Sequence, residues 1–160
     1  MSLERKGARV ARTTGRAGQA MPEESTTPDL VEVAGRTVEA LNRRDLDAAL
    51  SIYSPNSVWD NSAFGLETNE GFGAIRQFIE DWFSSYEELE IEIEENLDLG
   101  NGVVLGVAIQ KGRPVGSTGH LETRYALVSV VVGSIFERTQ GYTDIDQARA
   151  DAERLAQERG

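Results

Sequence analysis

The sequence predicts an α+β fold, with helices leading into an antiparallel sheet, and three observations carry that reading. The spacing of apolar residues is three to four from Val31 to Tyr86, becomes two at Leu89, and turns helical again after Asp144. Glycine-bearing turns at Gly100-Asn101-Gly102 and at Gly133 separate long apolar runs. A short strand, Ser57-Val58-Trp59-Asp60, follows the turn Ser54-Pro55-Asn56 in the middle of the helical part. At 160 residues and 39% apolar, the chain has material for one compact domain.

Taken in order, residues 1–27 read as a disordered basic tail: Arg5, Lys6, Arg9, Arg12 and Arg16 lie among Gly, Ala and Thr without an apolar stripe. Met21 is as good a start as Met1, and glycines 7, 15 and 18 argue against the amphipathic helix of a transit peptide. The domain spans 28–160. Its first helix begins near Pro28-Asp29 and carries Val31, Ala34, Val38 and Leu41 on one face. Asn42-Arg43-Arg44 breaks the pattern, and Asp45 caps a short second helix that ends before Pro55. A polar loop leads to a third helix, Phe72 to about Tyr86, whose Ile75, Phe78, Ile79, Trp82 and Phe83 make a broad apolar face suited to cover a sheet.

Leu89, Ile91 and Ile93 alternate with Glu88, Glu90, Glu92 and Glu94, which predicts a strand with one wet face; the glutamates form a solvated stripe rather than a metal site. Val103 to Ile109 is apolar on both faces and belongs in the sheet interior. His120 to Val132 and Ser134 to Tyr142 complete a four-stranded meander. Asp144 caps a last helix with Ala148, Ala152, Leu155 and Ala156 on one side. Apolar residues on both faces of the last strands, with Leu105, Val107, Leu121 and Leu127 needing cover, predict a homodimer through the convex face.

A formal charge of −11 repels phosphate backbones and anionic headgroups, which leaves nucleic acid and membrane surfaces out and small apolar or neutral metabolites in. With no cysteine, thiolate metal sites are excluded, and no metal or other cofactor is expected. Apolar runs fall short of the roughly twenty residues of a bilayer span, so a soluble, cytoplasmic protein is expected.

The order and spacing of Arg44-Asp45-Leu46-Asp47-Ala48-Ala49-Leu50, Tyr53 to Asp60, Gly71-Phe72-Gly73-Ala74-Ile75-Arg76-Gln77-Phe78, Gly112-Arg113, Gly133-Ser134-Ile135 and Tyr142-Thr143-Asp144 resemble the nuclear transport factor 2-like superfamily. Within it, the likeness is to SnoaL-like and ketosteroid-isomerase-like proteins, over residues 30 to 150. The resemblance implies a cystatin-like cone: a strongly curved antiparallel sheet with three helices on its concave face and a C-terminal helix, enclosing a pocket. It also places Asp60 where ketosteroid isomerases carry their proton-abstracting aspartate. The tyrosine and protonated aspartate that those isomerases use as oxyanion donors would fall near Thr37 and Ala126 and do not carry over, so ketosteroid isomerisation itself is not expected.

Hairpin geometry about Gly133 puts Val130, Val128, Ala126, Arg124, Glu122 and His120 on one side of the strand from His120 to Val132, taken as the pocket side. A bulge near Thr139 to Gly141 would exchange this set for Tyr125, Thr123 and Leu127. The candidate catalytic set is Asp60 as general base, Arg124 as electrostatic anchor and His120 as second proton carrier, with Trp59, Trp82, Phe83, Tyr86 and Glu122 lining the substrate site. This resembles the acid-arginine-acid arrangement of limonene epoxide hydrolases. Against it stands a structural alternative, in which Asp60 and Arg124 form a buried ion pair and His120 sits on the rim. Two functions remain open: a cofactor-free isomerase, polyketide cyclase-like or dehydratase-type enzyme moving a proton on a small apolar carbonyl compound, or a non-catalytic binding or dimeric interaction domain.

Overall fold

A computed structural model describes residues 29–160; the predicted basic tail lies outside the described residues. The elements run α1 (Leu30–Asn42), α2 (Leu46–Ala49), β1 (Val58–Asp60), β2 (Thr68–Glu70), α3 (Phe72–Ser84), β3 (Tyr86–Gly100), β4 (Val103–Pro114), β5 (Leu121–Val132), β6 (Ile135–Tyr142) and α4 (Ile145–Arg159). Side-chain caps start three of the four helices. Asp29, Asp45 and Asp144 cap α1, α2 and α4 by accepting from the backbone N–H groups of Glu32, Ala48 and Gln147. The turn after β3 takes positive φ at Gly100, Asn101 and Gly102, residue types that tolerate it.

The six strands form one open sheet in the order β2-β1-β6-β5-β4-β3. Strands β3 to β6 are the predicted meander, but the sheet is not antiparallel throughout, because β1 joins β6 in parallel and then turns back through β2 in the stretch expected to be a polar loop. Helices α1 to α3 cover the concave face, where Leu41, Leu50, Trp59, Ile75, Ile79 and Ile91 form the main core. The exposed edge of β3 is blunted from α1 and its following turn. Asn42 donates to the Ile91 carbonyl and accepts from the Ile91 N–H, both at 2.9 Å, and Arg44 donates to the Leu89 carbonyl at 2.7 Å. Arg44 also lies 4.7 Å above the Phe83 ring.

On the convex face α4 lays its small-residue stripe, Ala148, Ala152 and Ala156, against Val103, Leu105, Val107, Ala126 and Val128. Of the four residues named in the argument for a dimer, Leu105 and Val107 are covered by the chain's own last helix and Leu127 faces inward, while Leu121 stays exposed. Beyond α4 that face carries ion pairs, Lys111 with Glu92 and Arg124 with Glu94, and an exposed Leu97.

Candidate functional site

The register of β5 decides what can meet in the pocket. Ala126 and Val128 pack under α4, and since side chains alternate along a strand, Tyr125, Leu127 and Ser129 must point the other way, into the cone. The bulge that accompanies this arrangement lies at Glu137, where Val130 pairs with Arg138 but Val131 with Phe136. His120, Glu122 and Arg124 therefore fall outside the pocket. Arg124 donates to Glu94 at 2.6 Å on the outer face, Glu122 is exposed, and His120 is 67% exposed with Glu88 at 3.7 Å.

Asp60 is displaced by the same parity. Trp59 points into the cone, so Asp60, next to it on β1, points to the back of the sheet. Its Oδ1 accepts from the Ser62 N–H at 2.9 Å and the Thr68 hydroxyl at 3.3 Å, while Arg138 stands 3.6 Å from Oδ2. Hydrogen bonds from Ser62, through side chain and backbone, are the main cause that holds its carboxyl below the usual aspartate range, with smaller help from Thr68 and Arg138. The partner expected for Asp60 was Arg124; the partner found is Arg138.

Of the predicted wall, Trp59, Trp82 and Tyr86 do line the cone, whereas Phe83 is buried in the core beneath Arg44. The interior holds an outer cavity of about 790 Å³ and an inner one of about 100 Å³ that share Trp59, Trp82, Tyr125 and Leu127 as common wall. Six rings run around it in unbroken contact. Tyr53 stacks on Trp59 (centroids 6.1 Å), Trp59 meets Phe78 edge-on (5.2 Å), Phe78 stacks on Trp82 (5.9 Å), and Tyr125 contacts both Trp82 (6.3 Å) and Phe64 (6.2 Å). The Trp82 indole N–H donates to Gln110 Oε1 at 2.9 Å, which fixes the plane of the ring.

The inner cavity is almost wholly apolar. Burial raises the Tyr53 and Tyr125 phenols above their ordinary pKa, so both stay protonated across the physiological range. Two buried donors on the inward side of β1 and its continuation, Trp59 Nε1 and Asn61 Nδ2, have no hydrogen-bond partner. Glu67 and Asp81 are the carboxylates lining the outer cavity, and neither Lys, Arg nor His appears among its lining residues. Among the described residues no three of His, Asp and Glu converge as a metal site.

Asn61, Phe64, Asp81 and Gln110 are thus pocket residues outside the predicted set, and Tyr125 enters from the alternative face of its strand. Gln110 carried a signal, being the polar end of the otherwise apolar run from Val103. Phe64 carried one only in pairing with Gly141, where a Cβ would lie 2.8 Å from the ring's Cζ and closer still to Cε2.

Comparison with known proteins places this geometry. A model of the SnoaL-like domain matches residues 34–141. No curated protein matches the sequence. Among solved structures, a ketosteroid isomerase-like-fold protein from Catenulispora acidiphila in complex with trimethylamine superposes with a TM-score of 0.64 at 16% identity, covering 79% of this chain and 94% of that one. A Mycobacterium tuberculosis protein in complex with estradiol-17beta-hemisuccinate gives 0.62 at 13% identity, covering 72% and 94%. An epoxide hydrolase/cyclase-like enzyme of pyran ring formation in polyether salinomycin gives 0.60 at 14% identity, covering 69% and 87%. At such identities these structures share the fold, while the family match spans most of the chain from the middle of α1 to the end of β6: the protein belongs to the SnoaL-like domain family.

Proposed function

We propose that this protein binds a small, largely apolar organic compound inside the cone. The observation that carries the reading is the continuous aromatic wall around two adjoining cavities, of a combined size suited to a compact ligand. Solved structures of the same fold hold trimethylamine in one case and a steroid ester in another, which supports a cone that accepts small molecules without fixing which.

Binding is favoured over proton-transfer catalysis for a geometric reason. A general base must reach the proton it removes, and Asp60 lies behind the strand, engaged by Ser62, Thr68 and Arg138. Arg124 and His120 face away as well. An isomerase, cyclase or dehydratase reaction in this cavity would draw its base from Asp81 or Glu67 instead.

The chain's two tryptophans both line the cavity, and intrinsic fluorescence therefore reports on occupancy directly. Titration with a neutral aryl ketone such as 4-phenylbutan-2-one should give a saturable spectral change that Trp82→Ala abolishes. Absence of saturation up to millimolar ketone, and with benzyltrimethylammonium and its neutral and anionic isosteres, would overturn the reading.

A further inference from the structure

We infer that the outer cavity prefers an organic cation, such as a quaternary ammonium group, over neutral or anionic ligands of the same shape. This rests on the binding reading above and sharpens it to a ligand class. Two independent features of the cavity point the same way.

The first is the wall. Trp59, Phe78, Trp82 and Tyr125 lie in sequential ring contact at 5.2, 5.9 and 6.3 Å, and Phe64 and Tyr86 extend the same lining. Ring faces carry negative potential and attract a cation within about 6 Å, most strongly when water is excluded.

The second is the balance of charge at the lining. Glu67 and Asp81 contribute carboxylates, and Asp81 precedes Trp82 directly on α3, one turn from Phe78. Asp81 accepts only from Gln77 Nε2, at 2.9 Å, through its side chain, and neither carboxylate forms a salt bridge among the described residues. The nearby basic side chains are engaged elsewhere: Arg76 with Asp47 and Glu80, Lys111 with Glu92, Arg113 with Glu87 and Glu88, Arg138 with Asp60. An anion entering here finds two like charges and no counter-charge, within a chain whose formal charge is −11.

A quaternary ammonium suits this lining, since it presents a methyl surface to the rings and its charge to the carboxylates.

Three isosteric probes test the inference by tryptophan fluorescence and calorimetry: benzyltrimethylammonium, neopentylbenzene, and 2,2-dimethyl-3-phenylpropanoate. The cation should bind severalfold, up to about tenfold, tighter than the neutral hydrocarbon, in line with a cation–π site plus nearby carboxylates, and the carboxylate weakest. The cation-to-neutral ratio should fall in Asp81→Asn and Glu67→Gln, and fall with added salt. Equal or tighter binding of neopentylbenzene would overturn the inference and leave the binding reading standing. A cation preference unmoved by either carboxylate substitution and by Trp82→Leu would also overturn it, since the cation would then sit elsewhere. Failure of all three probes and of the aryl ketone would instead refute the binding reading itself. Circular dichroism of each variant separates loss of fold from loss of site.

Discussion

Gly106 tests whether the inner cavity is kept empty at the expense of stability. It lies in the middle of β4, opposite Asn96 and Leu127, and lines the inner cavity. A glycine inside a strand is a poor choice for the backbone, since it loses more freedom on folding than alanine by roughly 0.5–1 kcal/mol. A Cβ added there meets nothing within 4 Å, and φ is not in the left-handed region, so Gly106→Ala should enter without strain. The added methyl leaves water for an apolar cavity, worth up to about 0.8 kcal/mol, less the contacts it lacks across the gap. Together these give a gain of about 1 kcal/mol, or about 3 °C in melting temperature for a domain of this size. Urea denaturation should show a higher midpoint at unchanged slope. If the space belongs to a ligand, the same change should weaken any probe that reaches the inner cavity, in the usual exchange of stability against function. A destabilised Gly106→Ala would refute the claim that the site is open. A stabilised variant with unaltered affinity for every probe would refute the claim that the inner cavity is used.

Two further predictions concern the flanks of the site. Gly141→Ala should cost about 1–3 kcal/mol and expel the Phe64 ring from the outer wall, because the new methyl occupies that ring's position; Phe64→Ala in the same chain should recover most of the loss, and a double-mutant cycle by urea denaturation measures the coupling. Asp60 titrates lower in the folded chain than in the unfolded one, so its contribution to stability is present above the unfolded aspartate pKa, near about 4, and is lost as pH falls through the lower folded value. Asp60→Asn should therefore cost about 1 kcal/mol at pH 7 through its weakened bond to Ser62, and remove part of the acid-induced loss, without changing probe affinity. Unchanged stability at pH 7, or a loss of probe binding in a folded variant, would contradict the placement of Asp60 behind the strand.

Local sequence chemistry determined much of this protein. Capping aspartates at 29, 45 and 144, the left-handed turn at 100–102, the helical stripe of α3 and the alternation around Ile91 each act within a few residues, and each appears where its pattern lies. Trp59 and Trp82 were legible as pocket residues because large rings must be inside and the concave face is where the helices meet the sheet. What the sequence could not decide was which face of β5 is inside, because alternation names two sets without ranking them. Val128 with Ala126 and Leu127 with Tyr125 are equally apolar choices. The ranking came from α4, whose alanine stripe comes close enough to claim the even-numbered set, and that choice carried Arg124, Glu122 and His120 out of the site. Trp59 and Asp60, as neighbours on one strand, could not both enter the pocket. Pairing of β1 with β6, set by residues about eighty positions apart in the chain, gave the interior to the tryptophan and Arg138 to the aspartate.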